Sequence, residues 1–185
     1  MSNLEVSFRA LRVLDTARNL FNSHGFHSVG VDRIIESSQI AKASFYKYFQ
    51  SKEQLIEMSL GFQTDALKEE VFSIIHRNKG LTVHEKLKRI YVLHVSLEGL
   101  YHLPFKAIFE IEKRYPKAYK IVVNYRKWLL NQIYKLLLTN SANASKKDAH
   151  MFLFVMDGAM VLLLGGSGVD DPERLIEGFL VGLRI

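Results

Sequence analysis

Gly30 to Leu55 reads GVDRIIESSQIAKASFYKYFQSKEQL, and its apolar spacing resolves into a short helix, a tight turn, a second short helix and a capped third helix. Val31, Ile34 and Ile35 stand at i, i+3 and i+4, one face of a helix that begins after Gly30, an acceptable N-cap. Ser37-Ser38-Gln39 does not extend that face, and serine side chains compete for nearby backbone groups, so the chain turns there. Helicity resumes near Ile40 or Ala41. Phe45 and Phe49 then share one face, which leaves Lys42, Ala43, Ser44, Tyr46 and Lys47 mostly on the other. A helix that enters a major groove needs small residues for close approach, hydroxyls and amines for phosphates and base edges, and no carboxylate. From Gln39 to Lys52 there are three lysines and no acid, and Ala43 and Ser44 are the residues expected nearest the base edges. Ser51 followed three residues later by Gln54 reads as a capping box, and a helix start beside Lys52 offers free N–H groups to a phosphate. A surface helical hairpin with a solvated lysine face is the competing reading of the same pattern.

Ala17, Leu20-Phe21, Gly25-Phe26, Val31, Ile34, the run Ile40 to Phe49 and the run Ser51 to Leu55 together resemble the DNA-binding domain of the tetracycline-repressor (TetR) family of bacterial regulators. The resemblance covers about the first third of the chain. It implies that the helix holding Ala41 to Lys47 is the recognition helix. Tyr46, Tyr48 and Lys52 match positions that commonly touch phosphates in that family. The DNA-binding set is therefore expected to be Lys42, Ala43, Ser44, Tyr46, Lys47, Tyr48 and Lys52. Arg9, near the start of the first helix, is either a backbone contact, as the family suggests, or a solvated side chain. One departure concerns the turn, where the family usually has Gly and this chain has Gln39. A non-glycine residue with positive φ costs energy, so either the turn avoids that conformation or Gln39 tolerates it.

The chain has 185 residues, 48% hydrophobic and 24% charged, which suits one or two domains of ordinary globular composition. It has no cysteine, which excludes a disulfide scaffold and a thiolate metal site. The stretch from Met1 to Val13 lacks the pattern of a secretory leader. The longest apolar run, Met151 to Leu164, contains Asp157 and falls short of the roughly 18 residues a membrane span needs. A cytoplasmic protein without a membrane association is the default expectation. The net charge of +6 suits a polyanion-binding protein, yet Met1 to Leu60 holds seven basic against six acidic residues. The DNA-binding end is therefore identified by local placement, with Lys42, Lys47 and Lys52 together and Asp15, Asp32 and Glu36 on the preceding helices.

The remaining chain reads as all helix. A first helix runs from about Ser7 to His24 with Gly25 as its C′ residue, and Phe26 packs back. The helix after Ser51 continues through Gly61 towards His76, and Gly61 marks the expected boundary between a helix-turn-helix domain over 1–60 and a ligand-binding and dimerisation domain over 61–185. Thr82 with Glu85 and Ser145 with Asp148 open further helices. Gly99 weakens the helix after Thr82, Pro104 fits the first turn of the next, Pro116 starts a long one, and Asp170-Asp171 places acids at the head of the last.

The helix from Lys146 to about Gly165 is apolar nearly all round, with Phe152, Val155, Ala159 and Leu163 on one face and Met151, Phe154, Gly158 and Leu162 on another. Such a helix must be covered on every side, here by its own core and by a second copy of the chain. The family resemblance likewise implies a homodimer through the last two helices, with Leu175, Phe179 and Leu180 contributing from the final one. Tyr101, His102, Phe105, Phe109, Tyr125, Trp128 and Phe154 concentrate large aromatics in the middle region, as an apolar or aromatic small-molecule effector would require; each is equally readable as core. Lys113 to Lys147 holds nine basic residues and no acid, read first as a solvated face and otherwise as an attractor for an anionic ligand. A metal-dependent enzyme using Glu98, His102, Glu110, Glu112, His94 and His150 is the rival class, as is a helical protein-interaction adaptor. No tight His/carboxylate signature supports the former, and no cofactor is expected. The function expected is a ligand-responsive, sequence-specific DNA-binding regulator acting on a double-stranded operator, most often a repressor in the family resembled.

Overall fold

The computed structural model describes residues 8–166 and 172–182. Along the chain it contains α1 (Phe8–His24), α2 (Val31–Ser38), α3 (Lys42–Tyr48), α4 (Lys52–Phe72) running into a π-helical turn (Ser73–Arg77), α5 (Val83–His94), α6 (His102–Glu110), α7 (Pro116–Leu138), α8 (Lys146–Leu164) and α9 (Pro172–Gly182). No strand occurs among the described residues, and the all-α expectation holds. Ser7 and the acid pair Asp170-Asp171 lie outside the described residues.

Local signals account for most helix ends. Gly25 takes φ +80 and its N–H bonds the Phe21 carbonyl at 2.9 Å, closing α1, while Phe26 stacks on Phe21 with ring centroids 5.0 Å apart. Thr82 and Glu85 form the reciprocal capping box that opens α5, and Ser145 with Asp148 does the same for α8. At α4 the box is offset. Ser51 Oγ accepts from the Gln54 N–H at 3.1 Å, but Gln54 Oε1 reaches back to the N–H of Gln50 at 2.7 Å. α5 stops at His94, well before Gly99, because the backbone already leaves the helical region at Val95 (φ −92, ψ 72).

The chain divides into two compact units, Met1–Gln63 with Leu103–Val122, and Thr64–His102 with Val123–Ile185. The first unit takes in Leu103–Val122 together with the chain up to Gln63. The reason is packing: three short helices cannot cover Val13, Ala17, Phe21 and Phe26 by themselves, and Leu103, Ala107, Ile111, Ala118 and Val122 complete that fully buried cluster with Phe45, Phe49 and Leu55. Polar bonds fasten α6 there. The Phe26 N–H donates to Glu110 Oε2 at 2.8 Å, and Lys106 Nζ donates to the Phe21 and Asn22 carbonyls at the end of α1, at 3.2 and 2.7 Å.

In the second unit α9 packs on α5 and α8. α8 buries Ala149, Phe152, Leu153, Met156, Ala159 and Met160, while Met151, Phe154, Gly158, Val161 and Leu162 remain exposed. On α9, Ile176 and Leu180 are buried, Phe179 is half-buried, and Leu175 and Val181 are exposed. No described helix is long and apolar enough to cross a membrane.

Candidate functional site

The helix-turn-helix geometry begins with the turn. Gln39 adopts the left-handed conformation (φ 52, ψ 43), so this residue tolerates what glycine usually supplies. Its N–H bonds the Glu36 carbonyl at 3.0 Å and the Ile40 N–H bonds the Ile35 carbonyl at 3.4 Å, the paired closure of a Schellman motif. Arg12, on α1, donates from Nη2 to the Gln39 carbonyl at 3.0 Å. Nothing in the local spacing of Arg12 links it to a turn 27 residues away, so the sequence alone does not single it out.

α3 buries Phe45, with Phe49 just beyond its end, and presents Lys42, Ala43 and Lys47 to solvent; Tyr46 is 46% exposed, and Ser44 and Tyr48 are half-buried. The apolar pair on one side thus fixes which residues face outward. The exposed face carries no acid of its own, but Lys42 is already engaged, its Nζ 3.0 Å from Asp32 Oδ1 on α2. That hydrogen bond and the carboxylate charge hold the Lys42 ammonium above its usual pKa. Lys52 is directed differently from a free phosphate clamp. Its Nζ lies 3.5 Å from the His27 carbonyl and 5.9 Å from the Tyr115 ring centroid, and burial, then the charge of Arg114, lower its pKa. Of the seven residues expected at DNA, Ala43, Tyr46 and Lys47 stand open, Lys42 is exposed but paired, and Ser44, Tyr48 and Lys52 are partly covered.

Tyr101, Tyr125 and Trp128 come together in the second unit, with Tyr125 stacked on Trp128 at 5.8 Å and tilted against Tyr101 at 6.1 Å. His102 is buried nearby in sequence, with Nδ1 2.7 Å from the Leu97 carbonyl. Phe105 and Phe109 belong to the first unit, Phe105 buried and Phe109 69% exposed, and Phe154 is 62% exposed on α8.

Polar groups accompany the tyrosines. His94 is fully buried; its Nδ1–H donates to the Ile90 carbonyl (2.6 Å), and its Nε2 bonds the Tyr125 hydroxyl (2.6 Å). Burial pushes its pKa down to about 4, with the Arg126 charge acting in the same sense against the opposing Ile90 bond. Arg126 makes a two-pronged ion pair with Asp157 at 2.8 and 2.6 Å and donates to the Tyr101 hydroxyl. Burial raises the pKa of both tyrosines. Arg126 belongs to the basic stretch expected to be a solvated face; the pattern of α7 alone does not reveal that Asp157, 31 residues away, faces it. Lys113, Arg114, Lys117 and Lys120 of the same stretch are exposed. Among the described residues no three His, Asp or Glu side chains converge to hold a metal ion.

Residues 13–58 match the family model described as bacterial regulatory proteins, tetR family. Over 141 residues the chain is 28% identical to the biofilm operon icaADBC HTH-type negative transcriptional regulator IcaR of Staphylococcus aureus (strain Newman), a match covering 76% of this chain and 68% of that one. Its fold is similar to that of SCO4454, a TetR-family transcriptional regulator from Streptomyces coelicolor, with a TM-score of 0.78 and 24% identity over 95% of this chain and 86% of that chain. It is also similar to FadR from Bacillus subtilis, solved in complex with stearoyl-CoA, with a TM-score of 0.75 and 19% identity over 94% and 96% of the two chains.

Proposed function

We propose that this chain, a DNA-binding transcriptional regulator of the TetR type, is a homodimeric repressor released from its operator by a small molecule. The observation that carries the proposal is α3, whose buried Phe45 turns an acid-free face of Lys42, Ala43, Tyr46 and Lys47 outward, beginning three residues beyond the left-handed Gln39. Lys47 and Tyr46 supply phosphate contacts, Ala43 and Ser44 approach base edges, and Lys42 exchanges Asp32 for a phosphate on binding. Tyr48 and Lys52 then act at the flank of the site, Lys52 by turning away from Tyr115.

Dimerisation is supported by the exposed stripe Met151, Phe154, Val161 and Leu162 on α8, continued by Leu175 and Val181 on α9. Exposed apolar residues of this kind, gathered on the last two helices, mark an association site. A second copy covering it would set two recognition helices about 34–36 Å apart, one turn of DNA. The effector region is centred on Tyr101, Tyr125 and Trp128, with His102 beside it in the chain; Phe105 and Phe109 remain candidates on α6. The proposed effector is an aromatic or apolar molecule received among those rings, with His94, Arg126 and Asp157 as polar anchors. To act, it must bind the DNA-competent and released states unequally. The expected location is the cytoplasm, where its operator would be.

The test is binding of the full chain to a labelled duplex of its own upstream DNA, with unrelated competitor, at two salt concentrations. Competitor-resistant binding by a dimer supports the reading. Weak binding that competitor and salt both abolish would remove the operator from it.

A further inference from the structure

The turn before the recognition helix combines two observations that belong together. Gln39 is the one non-glycine residue with positive φ among the described residues, and its carbonyl is held at 3.0 Å by Arg12 from another helix. A left-handed non-glycine residue is disfavoured and persists where its surroundings over-determine it. Here the internal closure comes from the Glu36 and Ile35 carbonyls, and Arg12 adds a charge-assisted bond from outside the turn. α2 has no basic residue in its own last turn, so the Arg12 guanidinium also supplies the cation that a helix C-terminus favours. Asp15, three residues along α1, does not compete for Arg12, since it pairs with Arg18 at 2.7 Å.

We propose that Arg12 is a positioning residue for DNA recognition: by holding the Gln39 carbonyl it fixes the left-handed turn, and hence the placement of α3, which begins three residues later. The inference rests on the DNA-binding reading above. It assigns Arg12 to the turn and not to a phosphate, and it explains how this chain keeps the helix-turn-helix geometry without glycine at the turn. The positioning effect must depend on what occupies position 39. A phosphate contact would not.

The experiment measures operator affinity, affinity for unrelated duplex and the salt dependence of both, for the full-length wild type, Arg12→Gln, Arg12→Lys, Gln39→Gly and the double variant. Losing one hydrogen bond to a charged donor predicts roughly a tenfold weaker operator affinity for Arg12→Gln. The slope against salt should stay at its wild-type value, and affinity for unrelated DNA should change little. Arg12→Lys should recover only part, because a compact ammonium lacks the planar fork. Gln39→Gly should bind at least as well as wild type and should reduce the effect of Arg12→Gln to about threefold or less, because glycine adopts the turn without help. A salt slope that falls by about 0.9 on Arg12→Gln, equally in both backgrounds, would make Arg12 a phosphate contact and overturn the proposal. So would operator affinity that ignores Arg12. Wild-type protein that fails to bind its upstream DNA overturns the function reading itself, whereas normal wild-type binding with an inert Arg12 removes this inference alone. Circular dichroism on each variant separates misfolding from mispositioning, and Gln39→Gly keeps the test decisive if Arg12→Gln does not fold.

Discussion

At the scale of single residues, the side chains expected to meet DNA differ in how free they are. Lys47 is exposed, so Lys47→Ala should weaken operator binding and reduce its salt slope by about 0.9, as titration of binding against salt would show. Lys42 must first leave Asp32, and the two side chains are 64% and 85% exposed, so the pair itself adds little stability. Asp32→Asn should therefore tighten operator binding and steepen the salt dependence, with an unchanged unfolding midpoint. His94 titrates in a way that affects folding. Its pKa lies near 4 in the folded chain and near 6.5 when unfolded, so between those values the unfolded state binds the extra proton. Stability is full above about pH 6.5 and is lost as pH falls towards 4, by up to about 3 kcal/mol from this group. Urea midpoints at pH 7 and pH 5 should diverge more for wild type than for His94→Gln, which lacks the titrating ring.

At the scale of elements, α6 is the helix whose role is least apparent from its own pattern. It carries Phe105 and Phe109, expected at the effector, yet Leu103 and Ala107 complete the core of the first unit, and Glu110 and Lys106 bind the end of α1. Gly25 and Glu110 are mutually adapted, since a Cβ at Gly25 would stand 3.0 Å from Glu110 Oε2. Glu110→Ala strips the Phe26 N–H of its acceptor and should cost about 1–2 kcal/mol, read as a lower urea midpoint. The cap of α5 gives a simpler comparison: Thr82→Ala removes one half of a capping box on an exposed helix start and should cost about 1 kcal/mol without altering DNA binding.

At the scale of the whole molecule, the proposed second copy would cover what the single chain leaves open. α8 is covered on its Phe152 and Met156 side and open on its Phe154 and Gly158 side, where nothing lies within 4 Å of a Cβ built on Gly158. Gly158→Arg has room in the isolated chain and would place a charge in the middle of the proposed dimer contact. Light scattering should then report a monomer with unchanged helical content, and operator affinity should fall because one recognition helix no longer brings its partner. A persisting dimer would move the interface elsewhere.

The local signals in this sequence determined a great deal. The i, i+3, i+4 spacings, Gly25, the Thr82 and Ser145 caps and Pro116 set the helices and most of their ends, because each acts over one or two turns of chain. The pattern of α3 likewise told which residues face out, since Phe45 and Phe49 can occupy only one side. What tertiary structure decided was who meets whom across long separations. Arg12 on Gln39, Lys42 on Asp32, Glu110 on Phe26 and Arg126 on Asp157 join residues 10 to 84 apart, and no periodicity encodes such pairs. The same holds for α6, whose apolar stripe says that it is buried somewhere but not that it shares a core with Phe45 and Phe49, because burial is a property of a residue and partnership a property of the fold.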